Sequence, residues 1–168
     1  MISYYELSKN IYDHLIADED INTVVIGNID NIDTRKQTMF PLAHILIGTA
    51  TPKGGTIDFN VTVTTMDIID IRKGDQDFSW KGQDNKQNIL NTMFAVLENL
   101  GRSLDKGDLQ ELGWELLGDP TAEPFEDQYE NLLRGWSMTF NVSIPNTVQK
   151  CHDDDTAGLD DILDNILI

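Results

Sequence analysis

Hydrophobic and polar residues alternate most regularly over residues 56–64. Ile57, Phe59, Val61 and Val63 fall on one side, and Asp58, Asn60, Thr62 and Thr64 on the other. A period of two predicts a strand with one buried and one wet face. Before it, Leu42 to Thr51 is rich in aliphatic and β-branched residues, and Thr51-Pro52-Lys53-Gly54-Gly55 supplies a turn. Together they predict a long β-hairpin from Pro41 to Ile71, the element around which the chain is organised. The phase slips after Thr65, where Met66, Ile68 and Ile69 break the alternation. Either a bulge or a second partner covering the opposite face would account for the slip. A hairpin of this length needs other elements over its apolar side.

A second alternation runs from Gly135 to Pro145, with Trp136, Met138, Phe140, Val142 and Ile144 against Ser137, Thr139, Asn141 and Ser143. Two stretches have the helical period instead. Leu7, Ile11 and Leu15 mark a helix over Ser3 to Ala17. Ile89, Leu90, Met93, Phe94, Leu97, Leu100 and Leu104 give a helix over Asp84 to Leu104 a wide apolar face. Thr23 to Ile26 reads as a short strand stopped by Gly27. Leu109 to Leu117 fits either a turn of helix or a strand, and Thr121 to Leu133 reads as an edge strand with an irregular connection. Asn28 to Thr38 and Asp70 to Asp84 are polar loops.

The order predicts an α+β fold: a mostly antiparallel sheet with a long central β-hairpin and helices packed on one face. Residues 1–147 form this domain. Residues 148–168 differ in kind. Asp153, Asp154 and Asp155 lie in an acidic linker, and Leu159, Ile162, Leu163, Ile166 and Leu167 then recur at helical spacing. We read this as an amphipathic C-terminal helical tail, expected to dock in an apolar groove of a neighbouring subunit or of an adjacent protein; the alternative is that it folds back on its own domain and completes the core.

Charge narrows the functional classes. The 168 residues carry a net charge of −17, with a sequence pI near 4.2. Such a balance opposes tight binding to a phosphate backbone or an anionic membrane. It suits a basic protein partner, or nucleic acid that must pass without sticking. The single cysteine, Cys151, excludes an intrachain disulfide and points to a reducing compartment, the cytoplasm.

Catalytic signatures are absent from the sequence: there is no glycine-rich phosphate loop, His-Glu-x-x-His, nucleophile elbow or Cys-x-x-Cys. The run Cys151-His152-Asp153-Asp154-Asp155 holds possible metal ligands, but consecutive ligands rarely converge on one ion, and an acidic linker explains them. The carboxylate pairs Asp67/Asp70 and Glu123/Glu126 have no evident apolar enclosure. We therefore expect no catalytic, cofactor-binding or metal-ligating residue and no enzymatic activity. Phe78 and Trp80 stand out in a polar loop. They either cap the end of the sheet core or anchor a neighbouring subunit. With Leu159, Ile162, Leu163, Ile166 and Leu167 they are the candidate protein-interface residues.

The helix at Ser3 to Ala17, the strand Thr23 to Ile26, the long hairpin, the helix Asp84 to Leu104 and the strand Trp136 to Ile144 together resemble the tail-terminator (tail-completion) proteins of long-tailed bacteriophages. The likeness covers about the first 145 residues and includes Phe59-Asn60-Val61-Thr62-Val63 and Gly135-Trp136-Ser137-Met138-Thr139-Phe140-Asn141-Val142. The acidic linker and terminal helix depart from the compact family pattern and leave open a related neck or tail-ring protein rather than the terminator itself. The resemblance implies a non-enzymatic virion protein, assembled in the host cytoplasm. It would form a ring, usually a hexamer, that caps the tail tube and joins the neck and head, with DNA passing through. The competing expectation is a small acidic adaptor or chaperone-like module that binds a partner protein through its tail.

Overall fold

The computed structural model describes residues 3–28, 39–69, 86–128 and 133–146. In chain order these form α1 (Ser3–Ile16), β1 (Thr23–Ile26), β2 (Leu42–Pro52), β3 (Thr56–Ile68), α2 (Lys86–Lys106), α3 (Asp108–Glu111), β4 (Glu115–Leu116), β5 (Thr121–Gln128) and β6 (Leu133–Pro145). The fold is α+β, as expected. Strand order in the six-stranded sheet is β1-β2-β3-β6, with β4 and β5 both along the outer edge of β6. All pairs are antiparallel except β1 with β2.

The predicted hairpin is β2 and β3. Lys53 N–H donates to the Thr56 carbonyl, and Gly55 takes the positive φ (+97°) that closes the turn. Strand β2 extends one residue further than expected, through Pro52. The long partner of β3 is β6, paired without interruption from Thr56↔Pro145 to Ile68↔Leu133. No bulge therefore explains the phase slip at Thr65. The irregularity lies in β2, between Ile47 and Ala50. The slip itself is a second partner. Thr65 stays on the helix side, fully buried, and donates to the Met93 carbonyl of α2 at 3.0 Å. Met66 turns the other way into a small cluster with Phe40, Leu42 and Leu133.

Both long helices cover the same face. Leu7, Ile11 and Leu15 of α1 and Met93, Leu97 and Leu100 of α2 close over Ala43, Ile45, Val61, Val63, Phe140 and Val142 in one cluster. The apolar stripe of α2 is rotated from its expected position: Val96 is buried, whereas Phe94 is 41% exposed. The ambiguous stretch 109–117 contains both readings, the single turn α3 and the two-residue strand β4. Gly135 marks the closest approach of β6 to β3. A Cβ there would overlap the Thr65 carbonyl and come within 2.9 Å of the Met66 Cα. Among the described residues no helix is long and apolar enough to cross a membrane.

Candidate interaction surface

With the helices on one side, no element among the described residues covers the other face of β3 and β6, called here the open face, and the alternation of the two strands decides what it presents. Asn60, Thr62 and Thr64 of β3 stand opposite Asn141, Thr139 and Ser137 of β6, and the register turns these pairs into rungs. Asn60 Nδ2 donates to Asn141 Oδ1 at 2.9 Å. The hydroxyls of Thr62 and Thr139 lie 3.1 Å apart, and those of Thr64 and Ser137 also 3.1 Å. Cross-strand pairs of this kind stabilise a sheet by about 0.2–1 kcal/mol each. Each rung uses one donor and one acceptor and leaves the remaining amide and hydroxyl hydrogens to water.

The open face grades along its length. At the hairpin tip Asp58 pairs with Lys53, whose ammonium, helped by the Ser143 hydroxyl, holds the carboxylate below its usual range. The uncharged rungs follow, with Leu46 44% exposed beside Thr62. At the base lies the Phe40, Leu42, Met66, Leu133 cluster. His44 is buried between Val25 and Thr64 in the register, and its Nε2–H donates to the Gly27 carbonyl, so its ring is structural.

Two clefts flank the sheet on other sides. One of about 300 Å³ is lined by Glu19, Asp20, Asn22, Asp67, Asn88 and Thr92. Burial raises the Asp67 carboxyl above its usual range, against the pull of the Ile68 N–H that it accepts at 2.8 Å. This enclosure of Asp67 was not visible in the sequence. The other, of about 620 Å³, is lined by Asp13, His14, Asp18, Asn99, Asp108 and Leu112. Burial lowers the His14 pKa, while Asp18 and Asp108 act in the opposite sense. Among the described residues no group of three or more His, Cys, Asp or Glu is placed to hold a metal ion.

The expected interface residues Phe78, Trp80, Leu159, Ile162, Leu163, Ile166 and Leu167 lie outside the described residues, as do Asp70 and the run from Cys151 to Asp155. The places where their segments leave the sheet are described. Residues 70–85 depart after β3, at the base. Residues 147–168 depart after β6, at the tip, where Asn146 N–H donates to the Gly55 carbonyl at 2.9 Å. These exits are separated by the length of β6, roughly 40 Å at the usual strand rise. Trp114 and Trp136 join the core, the first buried and the second half-buried. The open-face rungs and the exposed Phe94 were not singled out from sequence. The alternation already held the rungs, but naming partners required the β3–β6 register. Compared with known families the chain matches no family model, and no curated protein matches it.

Proposed function

We propose that this chain is a non-enzymatic structural protein of a phage tail or neck. It assembles as a ring, with six copies the expected number, at the head-proximal end of the tail, where it terminates the tube, joins the neck and lets DNA pass. The observation that carries this reading is the open face of the sheet. In a protein of net charge −17 it presents uncharged rungs of Asn, Thr and Ser, each held to its partner by one side-chain hydrogen bond. DNA adheres to proteins through cations that displace its counterions. A wall of uncharged side chains, in a chain whose carboxylates far outnumber its cations, offers DNA no cation to bind, and we place it toward the channel. The order of elements along the chain supports the same reading.

Native mass measurement and electron microscopy of the purified protein test it. A closed ring with a central opening is expected, and a monomer at all concentrations overturns the reading. Phe78→Ala with Trp80→Ala should weaken assembly more than it lowers the melting temperature. If the double variant melts far below wild type yet still assembles when folded, these residues are core. DNA titrated at ~0.15 M salt should bind no tighter than ~10⁻⁴ M. The second reading, an acidic adaptor, draws support from the cleft lined by Asp13, Asp18 and Asp108, whose charge suits a basic side chain of a partner. A stable monomer that captures a basic peptide there would favour it.

A further inference from the structure

Phe94 is the one large apolar residue of α2 that is exposed, and it is held in place rather than loose. Its ring packs on Trp136 with centroids 4.9 Å apart. Trp136 is in turn fixed by its indole N–H, which donates to the Leu90 carbonyl at 2.9 Å. Leu90 is half-buried, Ala95 is exposed, and Pro124 of β5 stands exposed opposite Trp136 in the register. The result is a rigid apolar strip between the first half of α2 and the β5 edge. Its electrostatics are unusual for this chain. Residues 86–97 of α2 contain no carboxylate and one cation, Lys86.

We infer that this strip seats the chain's own residues 159–168, docked as an amphipathic helix. Leu159, Ile162, Leu163, Ile166 and Leu167 supply the matching apolar face, while Asp160, Asp161 and Asp164 favour a seat poor in negative charge; the strip has carboxylates at its margins, Glu98 one turn past Phe94 and Glu123 beside Pro124. The other exposed apolar residues do not offer one. Tyr4 and Tyr5 adjoin Glu6, Ile16 stands two residues from Asp18 at the end of α1, and Leu112 lines the cleft of Asp13, Asp18 and Asp108. Ile26 and Leu46 are isolated at the far edge of the sheet.

Reach favours the chain's own strip. The segment leaves at Pro145, and Trp136 lies back along β6 by nine residues, roughly 30 Å at the usual rise. Residues 147–158 can span up to about 40 Å when extended. A tether of that length holds the helix near its seat at an effective concentration on the order of 1 mM, above any free-protein concentration in a dilute solution. This departs from the neighbouring subunit expected on sequence, and it does not depend on the ring. A ten-residue helix alone in water is not stable, because nucleation outweighs the few turns gained. Docking is what would order it.

Hydrogen exchange on the full chain is the test, read on peptides covering 159–168 and 86–97. We expect exchange of 159–168 to be roughly tenfold slower than in the variant Phe94→Asp, and equally slow at low and high protein concentration. Phe94 is 41% exposed but packs on Trp136, so the variant is compared only where slow exchange of the α2 core around Leu97 and Leu100 is retained. A second variant, Ile162→Asp with Ile166→Asp, changes no described residue and should expose 86–97 to the same degree. Free exchange of 159–168 in the wild type, or protection indifferent to Phe94→Asp, overturns the inference. So does protection that appears only when copies associate, since that assigns the seat to a neighbour. Native mass on the same samples reads the ring separately: a protected tail in a monomer defeats the ring alone, and a ring with a freely exchanging tail defeats the docking alone.

Discussion

The two faces of the β3–β6 pair are built by the same alternation and bear opposite loads. On one face Val61, Val63, Phe140 and Val142 are buried under α1 and α2. On the other, Asn60, Thr62 and Thr64 meet Asn141, Thr139 and Ser137 through side-chain hydrogen bonds that face outward. The first face contributes stability by removing apolar area from water, at about 25 cal/mol per Å². The second contributes little, because each of its bonds replaces one to water. A surface that does little for stability is free to be shaped by contact, and this is why we read function on the open side.

The contrast can be broken most severely where the two strands meet closest. Gly135→Ala should prevent recovery of folded protein, because the added methyl group meets backbone, not a side chain able to turn aside. Soluble expression with a normal melting curve would show that the register is wrong. Next, Phe140→Ala on the helix face should cost about 3–5 kcal/mol by urea unfolding. Thr139→Val, its neighbour on the open face, should cost less than ~1 kcal/mol. Equal losses would erase the distinction between the faces. Trp136→Phe keeps the ring but deletes the donor to Leu90, and about 1 kcal/mol should be lost.

Charge placed on the open face sharpens the functional side of the comparison. Asn60→Lys with Thr62→Lys and Thr139→Lys should raise DNA affinity measurably at low salt, with a salt dependence absent from wild type. The smallest effect is expected at Asp67. Burial raises its folded pKa above the ordinary 3.8, so the folded state disfavours its charged form. Stability is therefore lost as pH rises from the unfolded value through the folded one. Asp67→Asn should raise the melting temperature slightly at pH 7, and the gain should vanish toward pH 3. A lower melting temperature at pH 7 would mean that the Ile68 hydrogen bond outweighs burial.

Much of this fold was legible in the chain because period and burial coincide. Residues 57–63 and 136–144 announce both their strands and their buried sides, and α1 and α2 appear within two residues of their expected limits. What escaped has physical reasons. Thr65 reads as a polar interruption, yet its hydroxyl is paired with a helix carbonyl and so is buried without penalty. Phe94 and Val96 exchange places because helical period defines a stripe but not its margins, which depend on what the helix lies against. β1 was found, but its parallel pairing with β2 was not, since four residues carry no information on direction. The candidate surface was half legible: its polar residues were in view, but their mutual pairing depends on partners 73 to 81 positions apart.

That separation governs how the chain reaches its fold. The hairpin of β2 and β3 can close early, since its two halves are adjacent in sequence. β3 must then wait for β6, and Thr62 for Thr139, 77 positions later. Until then the hairpin carries a bare edge and an uncovered apolar face, with α2 able to shield part of it as it follows in synthesis. Contacts so distant in sequence slow folding, because loop closure costs entropy before any pairing rewards it. A ribosome-bound chain arrested ahead of residue 133 is thus the form of this protein most exposed to aggregation.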